Sequence, residues 1–216
     1  MKKKLKYLAL GLVTYLLLGN LLHKVIFPED ELAETIRPKS GFKIQNRLGE
    51  KAIFRVTSLE SKGMNIEFEF LLTPGGTVPV YHIHEGISET FAVKKGTLII
   101  RMPDGEHKIT AGESKTVPAD TPHQPRNDSN ETVETMVTYS PGGRMDEFLT
   151  QYWGLVDDHV TGTKGEAPFL QMMLFSPKFG IYLAEPPIFV QKLVSVFLAP
   201  IARIVGYKST YPKYFQ

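Results

Sequence analysis

Residues Gly76–Gly96 read GTVPVYHIHEGISETFAVKKG, and the reading of this stretch decides the fold. The segment around His82-Ile83-His84 is of β type, and side chains two apart on a strand face the same side. Both imidazoles therefore point one way, an economical arrangement by which one strand offers two metal ligands. Phe91 to Met102 (FAVKKGTLIIRM) reads as strand, turn, strand, with the turn at Lys95-Gly96. Upstream, Met64 to Leu72 alternates, with Ile66, Phe68 and Phe70 on one face and Asn65, Glu67 and Glu69 on the other. Downstream, Asp104-Gly105 signals another hairpin, and Glu131 to Ser140 is β-rich until Pro141-Gly142-Gly143 stops it. Short strands at regular spacing between Gly41 and Tyr139 indicate an antiparallel sandwich or small barrel.

A His-x-His pair alone is a weak signal. With 6 histidines in 216 residues it arises by chance in roughly one chain in six. Requiring Gly76, Glu89 and Gly96 at their offsets lowers that to about one in ten thousand. A second block follows, with Gly112, then Pro118-Ala119-Asp120-Thr121-Pro122-His123, then Asn127. Together the two blocks resemble the motifs of the cupin superfamily, G(x)5HxH(x)3–4E(x)6G and G(x)5PxG(x)2H(x)3N. The first motif matches at Gly76, His82, His84, Glu89 and Gly96. The second matches at Gly112, Pro118, His123 and Asn127 and departs at Asp120, where the pattern has Gly. Asp tolerates left-handed turn geometry better than most residues, so the departure is mild.

The resemblance covers residues 41–140. It implies a mainly β fold, a double-stranded β-helix or jelly roll of six to eight strands, with one divalent transition metal inside. His82, His84, Glu89 and His123 would be its ligands. Three imidazoles and a carboxylate without thiolate suit Fe(II) or Mn(II), with Zn(II), Ni(II) or Cu(II) also compatible. Glu89 is in addition the candidate catalytic acid/base, as a ligand that could alternate with proton acceptance. By analogy with the superfamily, a homodimer through barrel faces is expected.

The chain ends have a different character. Lys2, Lys3, Lys4 and Lys6 precede the apolar run Tyr7 to Leu22, and Leu5 to Phe27 is 23 residues, about 34 Å as a helix. A bilayer core is about 30 Å thick. No small-residue cleavage pattern follows the run, so an uncleaved signal-anchor over residues 1–27 is expected, against a cleaved signal or a buried core helix. Lysines ahead of a span place the N-terminus in the cytoplasm and the rest of the chain outside it. Residues 28–40 form a charged, Pro-bounded linker.

Residues 141–216 are expected to be a helical extension, with helices over Met145 to Val156 and Phe169 to Leu183. Ile188 to Val205 carries Phe189, Leu193, Val196, Phe197, Ile201 and Ile204 at helical spacing, but also Lys192, Arg203 and Pro200. That composition suits a transmembrane segment poorly. Packing on its own domain, lying on a bilayer, or a dimer contact all remain open.

Composition excludes several function classes. The chain has no cysteine, hence no disulfide framework, thiolate metal site or cysteine nucleophile. Its net charge is +2, and without the four lysines of the first six residues the balance falls to −2, which argues against a nucleic-acid partner. No Gly-rich phosphate loop competes with the metal site. His107, His159 and His23 read as peripheral, and Gln124 and Arg126 as neighbours that could touch a ligand. Phe68, Phe70, Phe91 and Val93 read as barrel lining, and Tyr152 and Trp153 as packing against the barrel. Two functions remain: a metal-dependent enzyme, oxygenase-type ahead of isomerase or decarboxylase, acting on a small organic molecule, or a non-catalytic ligand-binding or interaction module at the membrane.

Overall fold

A computed structural model describes residues 2–28 and 31–216. The chain starts with helix α1 (Lys2–Thr14), a π-helical turn at Tyr15–Gly19 and α2 (Asn20–Ile26). Among the described residues, Lys3–Ile26 is the one helix long and apolar enough to cross a membrane, and its most apolar window is not buried by the rest of the protein. Strands β1 (Lys43–Gln45) and β2 (Lys51–Val56) lead through the short helix α3 (Ser58–Ser61) into β3 (Ile66–Leu72), β4 (His82–His84) and β5 (Ser88–Lys95). There follow β6 (Thr97–Met102), β7 (Gly105–Thr110), β8 (Ser114–Val117), β9 (Gln124–Arg126) and β10 (Val133–Ser140). Helices α4 (Met145–Asp157) and α5 (Phe169–Phe179), strand β11 (Ile181–Leu183), helix α6 (Ile188–Ile204) and a 3-10 turn at Pro212–Phe215 follow.

The pairings are antiparallel throughout. One sheet runs β1-β2-β3-β10-β5-β8, and a three-stranded sheet runs β7-β6-β9. The bridge His82↔His123 joins the two-stranded β11-β4 pair to the start of β9, so the smaller sheets act as a second, broken layer. Period-two patterning supplies the core between them. In β3, Ile66, Phe68, Phe70 and Leu72 turn inward; in β10, Val133, Val137 and Tyr139 do so; in β5, Phe91 and Val93. Glu89 takes the next inward position of β5, a buried carboxylate in an apolar row. Such a placement is costly unless the charge is paired.

Two features differ from expectation. The helix expected over Phe169–Leu183 ends at Phe179, because Gly180 adopts φ 69° and turns the chain in the left-handed region. Residues 181–183 then pair with the histidine strand, Ile181↔His84 and Leu183↔His82. The C-terminal region thus lends a strand to the β assembly and covers what would be an open edge. The second difference is in α6. Its buried residues are Gln191, Ser195, Pro200, Ala202 and Arg203, whereas Phe189, Leu193 and Ile204 are 73%, 56% and 69% exposed. The helix packs on its own domain through the buried residues, with Val194 on the cavity wall, while Phe189, Leu193, Val196, Ile201 and Ile204 of the expected face stay exposed.

Candidate metal centre

His82 and His84 both project inward from β4, as strand alternation requires, and Glu89 projects inward from β5. His123 comes from the turn before β9 and is held opposite His82 by reciprocal backbone bonds, His82 N to His123 O at 3.0 Å and His123 N to His82 O at 2.8 Å. Local chemistry sets these positions. A Cβ at Gly76 would stand 2.7 Å from Leu72 Cδ1 and 2.9 Å from the Thr73 carbonyl oxygen, so only glycine fits there. Asp120, the departure from the motif, adopts φ 62°. Its backbone N–H donates to His84 O at 3.1 Å and its carboxylate accepts from Gly86 N at 2.9 Å, so the turn is pinned to the histidine strand. Asn127 is a loop staple: its amide donates to the carbonyls of Leu72, Thr73 and Glu131.

The four side chains are buried and their donor atoms all lie within 4.8 Å of one another. His82 Nε2 is 3.2 Å from His84 Nε2, His84 Nε2 is 3.2 Å from Glu89 Oε2, and His123 Nε2 is 2.7 Å from the same oxygen. The outward nitrogens of two rings are engaged. His82 Nδ1 donates to Val80 O and His123 Nδ1 to Thr121 O, each at 3.0 Å. With Nδ1 so engaged, Nε2 is the nitrogen turned to the centre. At His123 burial alone would lower the value, but Nε2 donates to Glu89, whose hydrogen bond and charge raise it. A bound ion would take that proton's place. Burial, reinforced by the neighbouring imidazoles, holds His82 well below its ordinary value, so it is neutral and competent as a ligand. Burial alone would raise the Glu89 carboxyl; the hydrogen bonds of His123 and His84 outweigh it and hold Glu89 below the carboxylate range. A neutral imidazole beside an anionic carboxylate is the donor set a divalent transition ion requires, and the residues fit that group.

Tyr139 was not singled out by sequence. Register places it directly across from Glu89, in hydrogen-bonding contact, with its ring centroid 5.1 Å from that of His84. Burial and the adjacent Glu89 charge push its phenol well above the usual range, so it is a neutral donor. The pairing of β10 with β5 is non-local, so no sequence spacing could have revealed it.

The cluster borders an apolar cavity of about 430 Å³, a size typical of small-molecule sites. Phe68, Phe70 and Phe91 line it, while Val93 is buried in the core instead. Tyr152 and Trp153 of α4 also form its wall, Trp153 standing 6.2 Å from Phe70, ring to ring. Gln124 and Arg126 face elsewhere: Gln124 bonds to Val78 O, and Arg126 pairs with Glu106 and Asp128. His107 pairs with Asp104, His159 is exposed, and His23 is buried with Nδ1 3.1 Å from Gly19 O.

Residues 68–139 match the Cupin domain family, and all four cluster residues lie within the match. Over that third of the chain the protein is similar to cupin domains. No curated protein matches the chain. Similar solved structures include a predicted oxalate decarboxylase from Thermotoga maritima, at 19% identity and TM-score 0.40 over 51% of this chain and 98% of that one. A sugar phosphate isomerase of the cupin superfamily from Silicibacter pomeroyi aligns at 20% identity and TM-score 0.38, over 51% and 75%. A cupin-2 domain protein from Shewanella frigidimarina aligns at 26% identity and TM-score 0.32, over 36% and 71%. At TM-scores of this size none of the three bears on the reading, which rests on the family match.

Proposed function

We propose that this protein is a membrane-anchored, metal-dependent cupin enzyme of oxygenase type acting on a small organic molecule. One observation carries the reading: a buried His82–His84–Glu89–His123 cluster that borders an apolar cavity. A bound divalent ion, Fe or Mn ahead of Zn, Ni or Cu, would supply Lewis acidity and, if redox-active, electron exchange. The chain's own residues do the rest. Phe68, Phe70 and Phe91 exclude water and hold the apolar part of a substrate. Glu89, buried and bordering the cavity, is the group placed to accept a proton from the substrate's acidic group. Tyr139 keeps the Glu89 carboxylate in place.

Oxygen uptake by the full chain loaded with Fe(II), across phenolic and diketone substrates, tests the chemistry. Uptake above the substrate-free rate is expected, with a loss of about 100-fold or more in Glu89→Gln. Full metal loading without turnover of any kind would instead favour the ligand-binding module. The α1–α2 helix and its leading lysines support a single-pass anchor with the barrel outside the cytoplasm. Alkaline phosphatase fused after Gln216 should then be active in cells; an inactive fusion of full length would reverse the orientation.

A further inference from the structure

The cavity does not stop at the barrel mouth. Its wall runs from His82 and Glu89 out to Phe169 and Met172 of α5 and Val194 of α6. Polar groups available to an occupant are concentrated at the inner end, around the cluster and Tyr139. Farther out, Gln191 is spent on Leu183 N, Leu183 O and Pro186 O, the Tyr152 hydroxyl donates to Gly165 O, and Glu50, which accepts from Asn46, and Ser176 are the other polar residues of the wall. An occupant therefore meets a cluster of hydrogen-bonding partners at one end and a mainly apolar wall along the rest.

The outer rim is apolar and open. Phe169 and Leu183 are cavity-lining residues, yet they are 58% and 42% exposed. They belong to the same layer as α6, whose outward face shows Phe189, Leu193, Val196 and Ile204. That helix in turn packs on the candidate span, where the Tyr15 hydroxyl donates to Phe197 O. Leu5, Leu8, Leu17 and Leu21 of the span are exposed as well. A polar solute arriving from water gains nothing from this approach. A molecule dissolved in a bilayer would pass from one apolar phase to another.

We propose that the site takes a membrane-borne amphiphile, a long apolar chain with one oxygen-bearing end. It enters past the rim of α5, β11 and α6 and places its polar end at the His/Glu cluster. This rests on the metal-centre reading above and adds to it the substrate class and the route.

The test uses the full chain in phosphatidylcholine nanodiscs, titrated with the fluorescent 18-carbon cis-parinaric acid against empty nanodiscs, with metal content measured on the same samples. Saturable binding is expected, competed by hexadecanoic acid and at least tenfold more weakly by hexanoic acid. Val194→Trp, which fills the outer cavity, and Phe169→Glu, at the exposed rim, should each weaken the probe at least tenfold and leave metal content unchanged. Metal bound without saturable probe binding, equal competition by the short acid, or undiminished binding in both variants would overturn the proposal while the metal centre stands. Probe binding that follows the expected pattern in a chain without metal would support the ligand class and sink the metal reading alone.

Discussion

Strand β3 and helix α6 are both apolar and both patterned, yet they are built in opposite senses. In β3 the large side chains Phe68 and Phe70 point into the core and Glu67 and Glu69 point away from it. In α6 the residues turned to the protein include Gln191, Ser195 and Arg203, while Phe189, Leu193 and Ile204 face outward. Patterning reveals that an element has two faces; it does not reveal which face meets the protein. Burial of apolar area is worth about 25 cal/mol per Å² when water is the alternative. An exposed row of Phe, Leu and Ile beside a candidate membrane helix fits a surrounding that is not water, as in interfacial helices.

This contrast can be broken by matched truncations. Phe54→Ala in the fully buried barrel core should cost about 3–5 kcal/mol in denaturant unfolding; a loss under 1 kcal/mol would mean the barrel does not carry the stability. Next comes the metal. With free ion at about 100 times Kd, binding adds about 2.7 kcal/mol, so chelation should lower the unfolding midpoint of the parent and not that of His84→Ala. Gln191→Ala strands the Leu183 backbone groups that its amide satisfies and should cost about 1–3 kcal/mol, with faster amide exchange in β11. A variant as stable as the parent would show that β11 needs no staple.

A smaller effect follows from Glu50. Burial raises its carboxyl above the usual value, with Asn46 lowering it in part. A folded value above the unfolded one favours the folded state at low pH and penalises it as pH rises through the folded value. Glu50→Gln should thus gain stability over the parent near pH 8 and lose that advantage near pH 4. Smallest of all, Leu193→Ala should change unfolding by no more than about 0.5 kcal/mol, the mark of an outward residue.

Legibility followed the range of the interactions. His82 and His84 share a strand, so their common face was readable, and Asp120 took the left-handed turn its side chain permits. Tyr139 was not readable, because only the register of β10 on β5 sets it across from Glu89. Ile181–Leu183 continued an apolar helical run, and Gly180 alone marked the break. The edge strand beside the histidines was therefore read as helix.

The central claim is that four buried residues form one metal centre, and elemental analysis of the purified full chain tests it most directly. About one divalent transition ion per chain is expected, falling to near zero in His82→Ala and in His123→Ala while both variants keep the parent's far-ultraviolet circular dichroism. A parent that takes up no such ion when supplied in excess, or variants that hold as much as the parent, would contradict it.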